Sequence, residues 1–85
     1  MNQNEMIVEL VESVAECLCG EFELTNDGVP RIIFQGKDFA ISVVYVAHSQ
    51  QWKAFYPFPA MEQSKAYFPE IKELIRWLLD MGVHL

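Results

Sequence analysis

The chain has 85 residues, 52% of them apolar and 13% aromatic, with a formal net charge of -6 and a pI near 4.7. That acidity argues against direct nucleic-acid binding, which needs a basic footprint, and against an anionic membrane surface; it favours a basic protein or a cation. The length predicts a single compact domain over residues 1–85, with slightly more apolar residues than a small monomer has to bury.

Residues 3–19 read as a first helix. Ile7, Leu10, Val11, Val14 and Leu18 recur at helical spacing and form one apolar stripe. Asn2 or Asn4 can cap its start, and Gly20 follows its end. Glu5, Glu9, Glu12 and Glu16 fall opposite the stripe, within an arc of about 60°. No lysine or arginine interrupts these carboxylates, and like charges at i,i+4 cost a few tenths of a kcal/mol per pair. Loosely bound cations or a basic partner would offset that cost. A single rigid helix does not supply the enclosing oxygens of a calcium site. Cys17 and Cys19, two residues apart, read as reduced thiols. Only His48 and His84 could complete a metal site with them, so neither a metal nor another cofactor is expected.

From residue 21 the apolar period becomes two. "EFELT" alternates, "NDG" at 26–28 is a turn signal, and "PRIIFQ" is a second strand. "GK" at 36 and 37 suits a two-residue hairpin loop. "DFAISVVYVA" is a third strand, "HSQQ" a loop and "WKAFYPF" a fourth strand. These turns fix a register. Phe22 faces Ile32, and Glu23 sits opposite Arg31. Phe34 faces Phe39, and Ile32 faces Ile41. Tyr45 faces Ala54, Val43 faces Tyr56, and Ile41 faces Phe58. All three turns then place the large apolar side chains on one side of the sheet, where a one-residue slip would scatter them.

Pro57 and Pro59 are expected to end pairing. "MEQSKAY" at 61–67 reads as a short helical turn or a loop. Pro69 suits the first turn of a second helix over 69–81, with Ile71, Leu74, Ile75 and Leu78 as its buried stripe and Gly82 as its stop. The expected fold is a two-layer α+β domain, α-β-β-β-β-α, with a four-stranded antiparallel meander and both helices on one face.

On the opposite, outer face the same register groups Ile33, Val44, Val46 and Phe55. A solvated face is usually more polar, so this patch is a candidate interface, although the stems of Arg31 and Lys53 can shield it. Tyr45, Trp52, Tyr56, Tyr67 and Trp77 could line a pocket between sheet and helices for a cationic or flat apolar ligand. No catalytic constellation is evident, since no acid is placed to orient His48 beside Ser49. "MNQNEM" is unlike a signal peptide and no membrane span is present, which predicts a cytoplasmic protein. The leading expectation is a non-enzymatic, acidic interaction module. It would form a homodimer through the outer face and engage a basic protein, as an inhibitor or adaptor, through its acidic helix. The alternative is a small-molecule binding module using the aromatic gap.

Overall fold

In the computed structural model, which describes residues 3–59 and 62–85, the elements run α1 (Gln3–Cys17), β1 (Glu21–Leu24), β2 (Pro30–Gln35), β3 (Ala40–Val46), β4 (Gln51–Phe58), β5 (Ser64–Phe68) and α2 (Ile71–Asp80). The fold is α+β, with one five-stranded antiparallel sheet in the order β1-β2-β3-β4-β5. Asn4 lies inside α1 and does not cap it; Asn2 lies outside the described residues.

The first hairpin follows the predicted register: Phe22 pairs with Ile32 and Glu23 with Arg31. Its three-residue loop is closed by Thr25 N–H donating to Val29 O at 2.9 Å and Gly28 N–H donating to Thr25 O at 2.9 Å. Gly28 adopts φ +81, the left-handed conformation that lets a type I turn rejoin the ladder through a bulge.

The next two hairpins are each displaced by two residues from the expected register. Phe34 pairs with Ile41 and Ile32 with Val43, so the tight loop is Lys37–Asp38 rather than Gly36–Lys37. Gly36 N–H donates to Phe39 O at 2.8 Å, and the Phe39 ring lies where a Cβ on residue 36 would be. The glycine thus serves ring packing instead of the turn. Similarly, Tyr45 pairs with Trp52 and Val43 with Ala54, placing the four-residue loop at 47–50. A shift of two leaves every side chain on its predicted side, because the pleat repeats every two residues.

One irregularity does change sides. The β3–β4 register shifts between Ala40 and Ser42, and Ala40 pairs with Phe58. Phe58 therefore joins the outer face, where the Arg31 guanidinium lies 5.0 Å from its ring centroid, instead of pointing inward opposite Ile41. Pro57 also lies inside β4, where it makes no ladder pair, and pairing resumes at Phe58.

The segment expected to be a turn or loop contains a fifth strand. Ala66 pairs with Ala54 and Phe68 with Trp52 on the inner side; Lys65 pairs with Phe55 and Tyr67 with Lys53 on the outer side. Met61 lies outside the described residues.

The buried cluster joins Val11 and Ala15 of α1, Leu74 and Leu78 of α2, and Val83 to the inner sheet residues Ile32, Phe34, Ile41, Val43, Trp52 and Ala54. In α2, Val83 N–H donates to Leu78 O at 3.0 Å after Gly82, which closes the helix as expected. In α1 the closing bond is Gly20 N–H to Ala15 O at 2.9 Å, with Cys19, not Gly20, at positive φ (58°). Gly20 is required for space: a Cβ there would collide with Ile32 Cγ2 and come within 2.8 Å of Phe34 Cε1. Gly20→Ala should cost about 1–3 kcal/mol by overpacking, read as a lowered urea midpoint at unchanged m-value. Among the described residues, no helix is long and apolar enough to cross a membrane.

Candidate interaction surfaces

The outer face is built from the positions that alternate with the buried cluster. One row crosses the whole sheet in register: Glu21 pairs with Ile33, Ile33 with Ser42, Ser42 with Phe55, and Phe55 with Lys65. An acid thus stands at one edge and a base at the other. The adjacent positions carry Glu23 beside Arg31 on one edge, and Val44, Lys53 and Tyr67 toward the other. Glu23 accepts a hydrogen bond and forms an ion pair with Arg31, leaving Glu21 as the acid of that edge without a basic neighbour in the ladder.

The aromatics of this face sit under cations. Lys53 Nζ lies 5.0 Å from the Phe55 centroid and 5.5 Å from that of Tyr67, and Lys65 Nζ lies 5.9 Å from Phe55. Each such contact contributes about 0.5–1 kcal/mol at an exposed site. Of the four expected patch residues, Val44, Val46 and Phe55 are half-buried, while Ile33 is only 7% exposed. Ile33 is therefore a floor residue, not an exposed one; it shares a hollow with Ala40, Phe58 and Pro59. The surface of this face is made by Val44, Val46 and Phe55 together with Phe58, Tyr67 and the basic side chains.

A second hollow, of about 210 Å³, lies over Ser42 and is walled by Arg31, Val44, Phe55 and Phe58. Ser42 is 3% exposed. The middle of the outer face is thus depressed and its flanks are aromatic.

The five rings expected to line one gap do not share it. Tyr45 meets Trp52 edge-on at 5.0 Å, and Tyr56 meets Trp77 at 5.0 Å, with Phe68 a further neighbour of Trp77 at 5.2 Å. These four expected rings sit on the inner side, in two pairs. Tyr67 is 52% exposed on the outer face, because its strand places it opposite Lys53. Phe68, not Tyr67, supplies the inward ring of β5; the alternation of "SKAYF" carries that signal.

On α1, Glu5, Glu9, Glu12 and Glu16 are all exposed, as the helical spacing requires. They run along the helix and do not converge: no group of three or more His, Cys, Asp or Glu able to hold a metal forms among the described residues. Cys17 and Cys19 are free and exposed. His48 and His84 are exposed in the β3–β4 loop and near residue 85. No family model, curated protein or solved structure matches the chain.

Proposed function

We propose that this protein is a non-enzymatic interaction module that pairs with a second copy of itself through the outer face of its sheet. In this reading both helices cover the inner face, the outer face is left open, and the acidic side of α1 stays available to a basic protein. The observation that carries it is the row Glu21–Ile33–Ser42–Phe55–Lys65. A two-fold axis along β3 exchanges the two edges of the sheet. Glu21 of one copy then lies over Lys65 of the other, Phe55 lies over the aliphatic Ile33 position, and Ser42 meets Ser42. An isologous interface must be complementary to itself, and an acid at one edge with a base at the other is the charge pattern that achieves this. Facing sheets stack about 10 Å apart, close enough for side chains of both faces to interdigitate.

The lysines over Phe55 and Tyr67 keep the aromatic surface hydrated in the free chain. On pairing Lys65 exchanges its ring contact for the Glu21 carboxylate of the second copy. The self-association is therefore expected to be reversible and weakened by salt.

The test is a charge exchange followed by sedimentation equilibrium. Lys65→Glu should weaken the dimer on the order of tenfold, because each substitution is felt twice across the axis. Adding Glu21→Lys to the same chain should restore association to within about threefold of the wild type, as a double-mutant cycle requires of a direct pair. A double variant as weak as the single one, or a wild-type chain that stays monomeric at high concentration, would overturn the proposal.

A further inference from the structure

We propose that the hollow over Ser42, on the outer side of the sheet, binds a small planar ring that bears a carboxylate. The inference goes beyond the reading of the chain as an interaction module and does not rest on the dimer, because one chain supplies the whole site.

Ser42 of β3 forms the floor, and Arg31 of β2, Val44 of β3, and Phe55 and Phe58 of β4 form the walls. Thr25, just after β1, and Gln63, just before β5, complete the lining. These last two belong to diagonally opposite corners of the sheet. Leu24 lies toward the end where Trp52 pairs with Phe68, whereas Ser64 lies at the other end, paired with Tyr56. Twist brings such corners toward each other across one face. The outer side is thereby cupped over Ser42, and the cup measures about 210 Å³. Drug-sized ligands occupy roughly 300–1,000 Å³, so this space suits one ring with a short substituent.

Ser42 itself points to a ligand. It is 3% exposed, and among the described residues its hydroxyl bonds no protein group. Its ladder neighbours on this side, Ile33 and Phe55, have apolar side chains. A hydroxyl this deep is costly without a partner, and the hollow is the side from which a partner can reach it. Arg31 is the second fixed group. Glu23 Oε1 accepts from its Nε and pairs with its Nη2, and its guanidinium carbon lies 5.0 Å from the Phe58 ring centroid. Neither contact with Glu23 uses Nη1, so the guanidinium is held in place with donors to spare. Thr25 Oγ1 accepts from Val29 N–H at 3.0 Å, which leaves its own proton to donate.

The lining selects the ligand. Among the described residues no Asp or Glu lines the hollow, while Arg31, Ser42, Thr25 and Gln63 can all donate. Val44, Phe55 and Phe58 supply apolar sides for a ring. The outer ladder positions carry Arg31, Lys53 and Lys65 against Glu21 and Glu23, a local excess of positive charge in an acidic chain. A carboxylate there meets a guanidinium and hydroxyls, whereas a cation meets the Arg31 charge and no lining acid.

The probe is benzoate, titrated into isotope-labelled protein and followed by amide chemical shifts. Acetate, which lacks the ring, and benzylamine, which carries the opposite charge, are the controls. Wild-type and Lys65→Glu chains are both titrated, since Lys65 does not line the hollow and its substitution weakens the proposed dimer. Benzoate should shift the amides of Ser42, Val44 and Phe55 saturably, with affinities within about threefold in the two chains. Acetate and benzylamine should each bind at least about tenfold more weakly. Ser42→Ala should weaken benzoate about threefold or more, and Arg31→Gln about tenfold. Ser42→Ala removes a single oxygen, so a dispersed amide spectrum is expected to certify its fold. Shifts that do not saturate or that fall outside the hollow would overturn the inference. So would equal binding of benzylamine, or Ser42→Ala and Arg31→Gln chains that both bind as wild type does. A wild-type chain that stays monomeric yet binds benzoate would remove the dimer and leave this inference standing.

Discussion

Phe34→Ala is expected to lower the stability of the fold by about 3–5 kcal/mol, the usual cost of deleting a buried aromatic ring and leaving its cavity. Phe34 is among the largest fully buried side chains, at 2% exposure. Its ring lies against the Gly20 backbone at the end of α1, and its strand position pairs with Ile41 of β3. The ring therefore touches helix and sheet together, at a place where Gly20 already brings the backbone as close as it can come. Collapse into the vacated space would require α1 to move as a unit, so little of the cost is recovered by relaxation. For 85 residues the total stability is about 4–13 kcal/mol, so the loss is a large share of the whole. Urea unfolding followed by tryptophan fluorescence reads the effect directly, since Trp52 shares the buried cluster with Phe34. A loss below about 1 kcal/mol would show that the Phe34 site collapses freely and that the helix–sheet junction is not rigid.

The contrast between Phe34 and Phe58 explains what the sequence made legible. Side-chain direction in β1 to β4 was readable because it depends only on parity. Both mispositioned loops, at 37–38 and 47–50, moved by one residue, which shifts the pairing by two and leaves parity untouched. Phe58 was misread because a bulge changes the count by one: Tyr56 and Pro57 stand opposite Ile41 alone, and Pro57, read as the end of pairing, marks the bulge instead. Strand β5 was overlooked for another reason. "SKAYF" alternates, but its inward residues are Ser64, Ala66 and Phe68, and only the last is large. A small inward residue is what the inner side accepts there, since Ala66 pairs with Ala54. Once β5 is in place, the sides of Tyr67 and Phe68 follow from parity. That removes Tyr67 from the expected ring pocket and puts Lys65 on the outer face. The charge pattern across that face depends on β5, and so did not emerge from four strands.

The acidic stripe of α1 was legible because helical spacing alone defines it. The exposure of Met6 and Leu10 on the other flank of the same helix was not. Spacing assigns Leu10 to the apolar stripe, but which edge of a stripe the sheet covers depends on how the helix is rolled. With Val11 and Ala15 at the centre of the buried seam, Leu10 and Met6 fall outside it. A stripe wider than its cover leaves an apolar strip exposed, and that is a property of packing rather than of pattern.

Phe55→Asp is expected to abolish self-association while leaving the fold intact, with a loss on the order of a hundredfold or more in affinity. The two halves of that expectation have separate causes. Phe55 belongs to the outer face; its ladder partners are Ser42 and Lys65, and it is not a member of the buried cluster. Replacing it removes two cation–ring contacts, worth about 0.5–1 kcal/mol each, and gives Lys53 and Lys65 a carboxylate in exchange. The net effect on the free chain is small. In the proposed dimer the same carboxylate would lie over the apolar Ile33 position of the second copy, away from water, where an ionised group is strongly disfavoured. Phe55→Leu keeps the apolar contact and should keep most of the association, which distinguishes burial from a specific need for the ring. Sedimentation velocity across a concentration series, with circular dichroism on the same samples, measures both halves. Retained association in a folded Phe55→Asp variant would remove the outer face from the interface.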